Sequence, residues 1–148
     1  MSNTCLQHIE EAWKLKTNAS NKLFSAGKYK ASLLGYEEAL CRAEVLNQHL
    51  KKAMIIGIPF IQIFAISCNN IAFTYEKMGL SQKGEKMLQR VVYFLVFQHE
   101  KTEHNSREIQ SELKRAMLNY NEFANRNTLD VDNVKLVFKD IQKQLKIA

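Results

Sequence analysis

Proline occurs once in this 148-residue chain, at position 59, and glycine five times, at positions 27, 35, 57, 79 and 84. Between those points the chain is rich in Ala, Leu, Lys, Glu and Gln, which lose little side-chain freedom in a helix. A chain with so few places to stop a helix is expected to be all-α. Apolar residues at 46% and charged residues at 24% set it among globular rather than disordered chains. Its length suits one domain, residues 1–148, with a core of its own.

Helix boundaries follow from the breakers and from apolar periodicity. Thr4 with Gln7 reads as a capping box opening helix one, and Gly27 ends it. Helix two runs from Tyr29 to Ile56, with Leu33, Tyr36, Leu40, Ala43 and Leu50 near helical period. Gly57 stops it, and Pro59 suits the first turn of helix three, where its missing N–H would be unpaired anyway. Gly79 ends helix three and Ser81 caps helix four. The run "VVYFLVF", Val91 to Phe97, is apolar all round and is flanked by helical sequence, which makes helix four central. Asn105 with Glu108 is a second capping-box candidate for helix five, which reaches Arg126. Helix six spans Val131 to Lys146. About six helices result.

Two stretches repeat one pattern around a turn glycine. In "SNKLFSAGKYKASLLGYEEAL", Ser20 to Leu40, the small residue Ser20 and the aromatic Phe24 precede Gly27, and Ser32, Tyr36 and Ala39 follow it. In "NNIAFTYEKMGLSQKGEKML", Asn69 to Leu88, the corresponding positions are Ala72, Glu76, Gly79, Gly84 and Leu88, then Val91. Helices cross closely where each offers a small side chain, with a bulky neighbour filling the remaining space.

This pattern resembles the tetratricopeptide repeat, over residues 13–40 and 66–92. The second stretch departs on its second helix, where Gly84, Leu88 and Val91 replace Ala, aromatic and Ala. The turn glycines at 27 and 79 are 52 residues apart, against a family period of ~34. The excess equals about five helical turns, which would lengthen both arms joining the two pairs.

The resemblance implies antiparallel helix pairs stacked as a short superhelix: pairs at 4–56 and 59–102 and a degenerate third at 105–147. It also implies a non-catalytic module that binds a peptide or protein on a concave face lined by the first helix of each pair. Asn21, Phe24, Asn70 and Phe73 lie on those helices. One known variant grips a terminal carboxylate with Lys and Asn. Asn21 and Asn70 occupy its two Asn places, but Thr17 stands where its first Lys would be. A small cytoplasmic chaperone for a secreted client is an alternative use of the same architecture.

The sequence offers little for catalysis. "HEKTEH", His99 to His104, is not HExxH, and a solvated helix end accounts for it. There is no glycine-rich phosphate loop and no nucleophile elbow. Glu37 and Glu38 are adjacent on a helix and point apart. No cofactor or metal site is expected.

A net charge of +6 raises nucleic acid as another partner. The charge is spread evenly, and the one ordered basic feature is Lys135, Lys139, Lys143 and Lys146 along helix six. No aromatics flank it to stack on bases, so nucleic acid is disfavoured and a regulator using that stripe is the rival reading.

The most apolar window, Ala53 to Cys68, is shorter than a ~20-residue membrane span and is split by Gly57 and Pro59. The N-terminal residues have no apolar signal region, and Cys5, Cys41 and Cys68 show no CxxC spacing. A cytoplasmic protein with reduced, packed thiols is expected. The stretch from Ile55 to Phe64 must be covered, by helices five and six and by a second copy in a homodimer.

Overall fold

The computed structural model describes residues 1–101 and 106–147, and among these every regular element is a helix. The chain divides into two compact units, residues 1–79 and 80–148. The division falls just after Gly79, inside what the sequence reads as the second helix pair. Unit 1 holds α1 (Asn3–Ser25), α2 (Tyr29–Gln48), α3 (Leu50–Ile55) and α4 (Phe60–Lys77). Unit 2 holds α5 (Ser81–Lys101), α6 (Ser106–Arg126) and α7 (Val131–Ile147). No helix among the described residues is long and apolar enough to cross a membrane.

Ser2, not Thr4, caps α1. Its backbone is extended, and its hydroxyl accepts the Cys5 N–H at 3.1 Å. Thr4 already lies inside the helix, so the expected Thr4–Gln7 capping box does not form and a single Ser2 cap takes its place. At the other end Gly27 takes φ +77°, the Lys28 N–H reaches the Leu23 carbonyl at 2.9 Å, and the Gly27 N–H reaches Phe24 at 3.0 Å. These paired bonds satisfy carbonyls that the helix end would otherwise orphan. The same closure recurs after α3, where Ile58 bonds to Ala53 and Gly57 to Met54.

The third instance has no glycine. After α6, Thr128 adopts φ +50°, Leu129 bonds to the Ala124 carbonyl at 3.0 Å, and Thr128 bonds to Asn125 at 3.4 Å. A β-branched residue in this region is strained. The turn "NRNTLDVDN" therefore repeats the geometry of the glycine turns without their residue.

Helix two of the sequence reading is two helices. His49, at φ −123° and ψ 37°, separates α2 from α3. Neither glycine nor proline marks the place, so a reading based on breakers runs through it. Pro59 precedes α4 as its cap residue rather than opening it. Ser81 begins α5, and its hydroxyl bonds to the Asn127 amide oxygen at 2.9 Å. The Asn105 capping candidate lies outside the described residues.

Unit 1 is built around α2, which packs against both α1 and α4. The α1–α2 crossing is close. Ser20 and Ser32 are buried there, and the Ser32 hydroxyl donates to the Ser20 carbonyl at 3.0 Å. An ideal Cβ built on Gly35 would stand 2.0 Å from Ser20 Oγ. Lys16 on α1 pairs with Glu38 on α2, and this ammonium holds the Glu38 carboxyl below its ordinary range through a hydrogen bond and its charge. The indole N–H of Trp13 donates to Ser67 Oγ at 2.7 Å, tying α1 to α4. The apolar stretch that required cover is mostly buried, at Ile58, Phe60, Ile61, Ile63 and Phe64, while Ile55 is 83% exposed.

In unit 2, α5 packs against α6 and α7. Val91, Val92, Leu95 and Val96 are buried, but Phe97 is half exposed with the Lys101 ammonium 4.3 Å from its ring centre. Helix α5 is thus covered on two sides rather than all round. A polar network runs through this unit. The Tyr120 hydroxyl donates to Glu85 Oε2 at 2.7 Å and accepts from Gln89 Nε2 at 2.8 Å. Burial, the largest cause, and the neighbouring Glu85 carboxylate push the Tyr120 hydroxyl far above its usual range. The three cysteines are free thiols. Cys68 is buried as expected, whereas Cys5 and Cys41 are exposed.

Candidate interaction surface

The residues proposed from sequence as partner-binding all lie in unit 1. Asn21 and Phe24 are three residues apart on α1, and Asn70 and Phe73 are three apart on α4, so each pair occupies one helix face. Asn21 is exposed, and its Oδ1 accepts the Tyr36 hydroxyl of α2 at 2.5 Å. The Tyr36 ring is buried, and burial raises its hydroxyl pKa, so it remains a donor at neutral pH. With Oδ1 occupied, Asn21 offers its Nδ2 donors in a fixed orientation.

Phe24 is half-buried and meets Tyr29 edge to face across the Gly27 turn, with ring centres 5.2 Å apart. Asn70 and Phe73 are also half-buried. The Asn70 carbonyl accepts the Thr74 hydroxyl at 2.7 Å, and its side-chain amide makes no hydrogen bond among the described residues. No hydrogen bond joins Asn21 to Asn70. Counting from the Trp13–Ser67 bond, Asn21 lies eight residues along α1, about 12 Å, and Asn70 lies three along α4, about 4.5 Å.

Thr17 sits one turn before Asn21. It is 6% exposed, and its Oγ1 has no hydrogen-bond partner. An unpaired buried hydroxyl costs roughly 1–3 kcal/mol, so this group is a defect in the isolated chain. Thr17 cannot supply the cation that the carboxylate-gripping variant has at this place.

The basic residues of α7 are arranged otherwise than a bare stripe. Lys135, Lys139 and Lys143 are exposed, while the side chain of Lys146 lies outside the described residues. Asp132 falls on the same helical face as the three lysines. Asp140, on the flank, accepts the Tyr93 hydroxyl at 3.0 Å. The small pocket between α6 and α7 measures about 90 Å³ and is bordered by Lys135, Phe138 and Asn121. That volume is well below the ~300 Å³ of a small-molecule site.

Two features escaped the sequence reading. Gly35 falls in no repeat position, and only the α1–α2 contact reveals its role. The other is an open groove of about 670 Å³ along α1, lined by Leu15, Ala19, Leu23 and Ala26 with Lys22 and Lys28 at its border. Its signal was present, because these apolar residues recur every three or four positions.

A family described as "Protein of unknown function (DUF2753)" matches residues 11–147. The chain belongs to this family. No curated protein and no solved structure matches it. The family match begins within α1 and reaches the last turn of α7.

Proposed function

We propose that this member of the DUF2753 family is a non-catalytic, tetratricopeptide-like interaction module, acting in the cytoplasm, that binds a peptide or protein segment across α1 and α4. The observation that carries the reading is the Tyr36–Asn21 bond. A buried tyrosine fixes the amide of an exposed residue, leaving oriented N–H donors beside the half-buried ring of Phe24. An amide held in this way recognises a backbone carbonyl or carboxylate without first losing rotamer freedom. The half-buried Asn70 amide adds polar groups that an extended chain could satisfy. Phe24 and Phe73 would supply apolar contact, about 1.5–3 kcal/mol for each ring newly buried. A chaperone for a single client uses the same face. The α7 lysines support nucleic-acid binding less well, because Asp132 shares their surface.

The test begins with a pull-down from the native cell lysate at low and high salt. Affinity for the recovered protein is then measured with Asn21→Asp and with Asn70→Ala. Asn21→Asp keeps the acceptor for Tyr36 and replaces only the outward donors. The expected result is an unchanged melting temperature with at least tenfold weaker binding for Asn21→Asp. Undiminished binding by both variants, or recovery of salt-labile nucleic acid in place of protein, refutes the reading.

A further inference from the structure

The groove on α1 lies apart from the face proposed above, and its composition is self-complementary. Leu15, 65% exposed, Ala19 and Leu23 follow one another at intervals of four, with Ala12 and Ala26 extending the line at either end. Residues at this spacing share one helical face. Helix α2 occupies a different face, reached through Ser20. The stripe is therefore an unpartnered apolar surface, and its residue order constrains what can cover it.

We infer that a second copy of this chain docks here, α1 against α1, antiparallel about a two-fold axis at Ala19. In that register every stripe residue meets a suitable counterpart. Ala19 faces Ala19 of the second copy, where two small side chains allow close approach. Leu15 then comes level with Leu23 of the second copy, and Ala12 with Ala26, so the bulky pairs flank the close contact on both sides. Such an interface is isologous, and each contact occurs twice.

Charge selects the same orientation. Glu11 flanks the stripe in the first half of α1, and the far end of the groove carries Lys22 and Lys28. Glu11, Lys22 and Lys28 are exposed and form no ion pair among the described residues. Antiparallel docking brings Glu11 of the second copy toward Lys22 and Lys28. Parallel docking would instead set Glu11 against Glu11 and Lys22 against Lys22. An unrelated acidic helix could meet the lysines, but it would leave Glu11 facing like charge.

A single helix pair is a small contact, so association is concentration-dependent and of the weak, transient class. The test uses the full chain with the exposed Cys5 and Cys41 changed to Ser. In that background Ala19→Cys is oxidised with oxidised glutathione at about 100 µM protein. A disulfide needs its two Cβ atoms about 4 Å apart, which only a residue near the axis provides. The expected result is a disulfide-linked dimer in large excess over that from Leu34→Cys, an exposed position on α2. Sedimentation equilibrium of the unaltered chain should show a monomer–dimer equilibrium. Leu15→Glu should weaken it at least tenfold without altering the circular dichroism spectrum. Lys28→Glu should weaken it too, and adding Glu11→Lys should restore it. A monomer at all concentrations, a dimer indifferent to Leu15→Glu, or no more cross-linking at Ala19 than at Leu34 overturns the proposal.

Discussion

Replacing Gly35 by Ala isolates what the α1–α2 crossing requires. In an exposed helix this substitution stabilises by about 1 kcal/mol, because alanine gives up less backbone freedom. Here the added methyl carbon would stand 2.0 Å from Ser20 Oγ and 3.3 Å from Ser20 Cβ. Carbon–oxygen contacts cannot approach 2 Å, and Ser20 is buried, so its hydroxyl has little room to turn away. Either the hydroxyl leaves its rotamer or the helices separate. Separation would disturb the Ser32–Ser20 bond and the Tyr36–Asn21 bond nearby. Overpacking of this kind costs typically 1–3 kcal/mol, which equals or exceeds the helix gain. A net loss of up to about 2 kcal/mol follows, or up to roughly 6 °C in melting temperature for a chain of this size. The discriminating assay is a double-mutant cycle by urea unfolding, using Gly35→Ala, Ser20→Ala and both together. With the Ser20 hydroxyl gone, only the 3.3 Å contact remains and the helix gain reappears. Coupling of at least about 1 kcal/mol between the sites is expected. A Gly35→Ala chain as stable as the parent, with no coupling to Ser20, would refute the close-crossing argument.

Thr128→Gly should stabilise the chain by about 1 kcal/mol, measured by thermal unfolding, because it removes a β-branched residue from φ +50°. Tyr120→Phe should cost about 1–3 kcal/mol by stripping a donor from the buried Glu85 carboxylate, whereas Glu85→Gln, which keeps the acceptor, should cost less. The Tyr120 hydroxyl ionises at higher pH in the folded chain than in the unfolded one. Above about pH 10 the unfolded state therefore holds fewer protons, and stability falls as pH rises. In urea unfolding from pH 8 to 11, Tyr120→Phe should show a shallower alkaline loss than the parent. Asn21→Ala should lower stability by roughly 0.5–1.5 kcal/mol by orphaning the Tyr36 hydroxyl, while Asn21→Asp should not.

The all-helical character was legible because it rests on composition and on where breakers fall. Gly27, Gly57 and Gly79 all take the positive φ that their positions after helices require. The break at His49 was hidden, since its flanking residues are ordinary helix formers and the kink carries no local signature. Ser2 and Thr4 can both cap by residue type, and only the backbone angles separate them. Thr128 was invisible as a turn residue because sequence reasoning looks for glycine there. At the candidate surface, Asn21 and Phe24 could be named from the repeat pattern, but the Tyr36 bond that orients the amide could not. It joins residues fifteen positions apart on different helices. The stretch from Ile55 to Phe64 marks a need for burial but not how it is met: Ile58, Phe60, Ile61, Ile63 and Phe64 are buried, Ile56 is half-buried and Ile55 is exposed.

The most direct measurement of the central claim is an NMR titration of the isotope-labelled chain with the partner recovered at high salt. Side-chain amide signals of Asn21 and Asn70 report the proposed face, and the Lys135, Lys139 and Lys143 signals report α7. The account predicts saturable shifts at Asn21, Asn70, Phe24 and Phe73, with the α7 signals unmoved. Shifts confined to α7, with Asn21 and Asn70 silent at saturation, would contradict it.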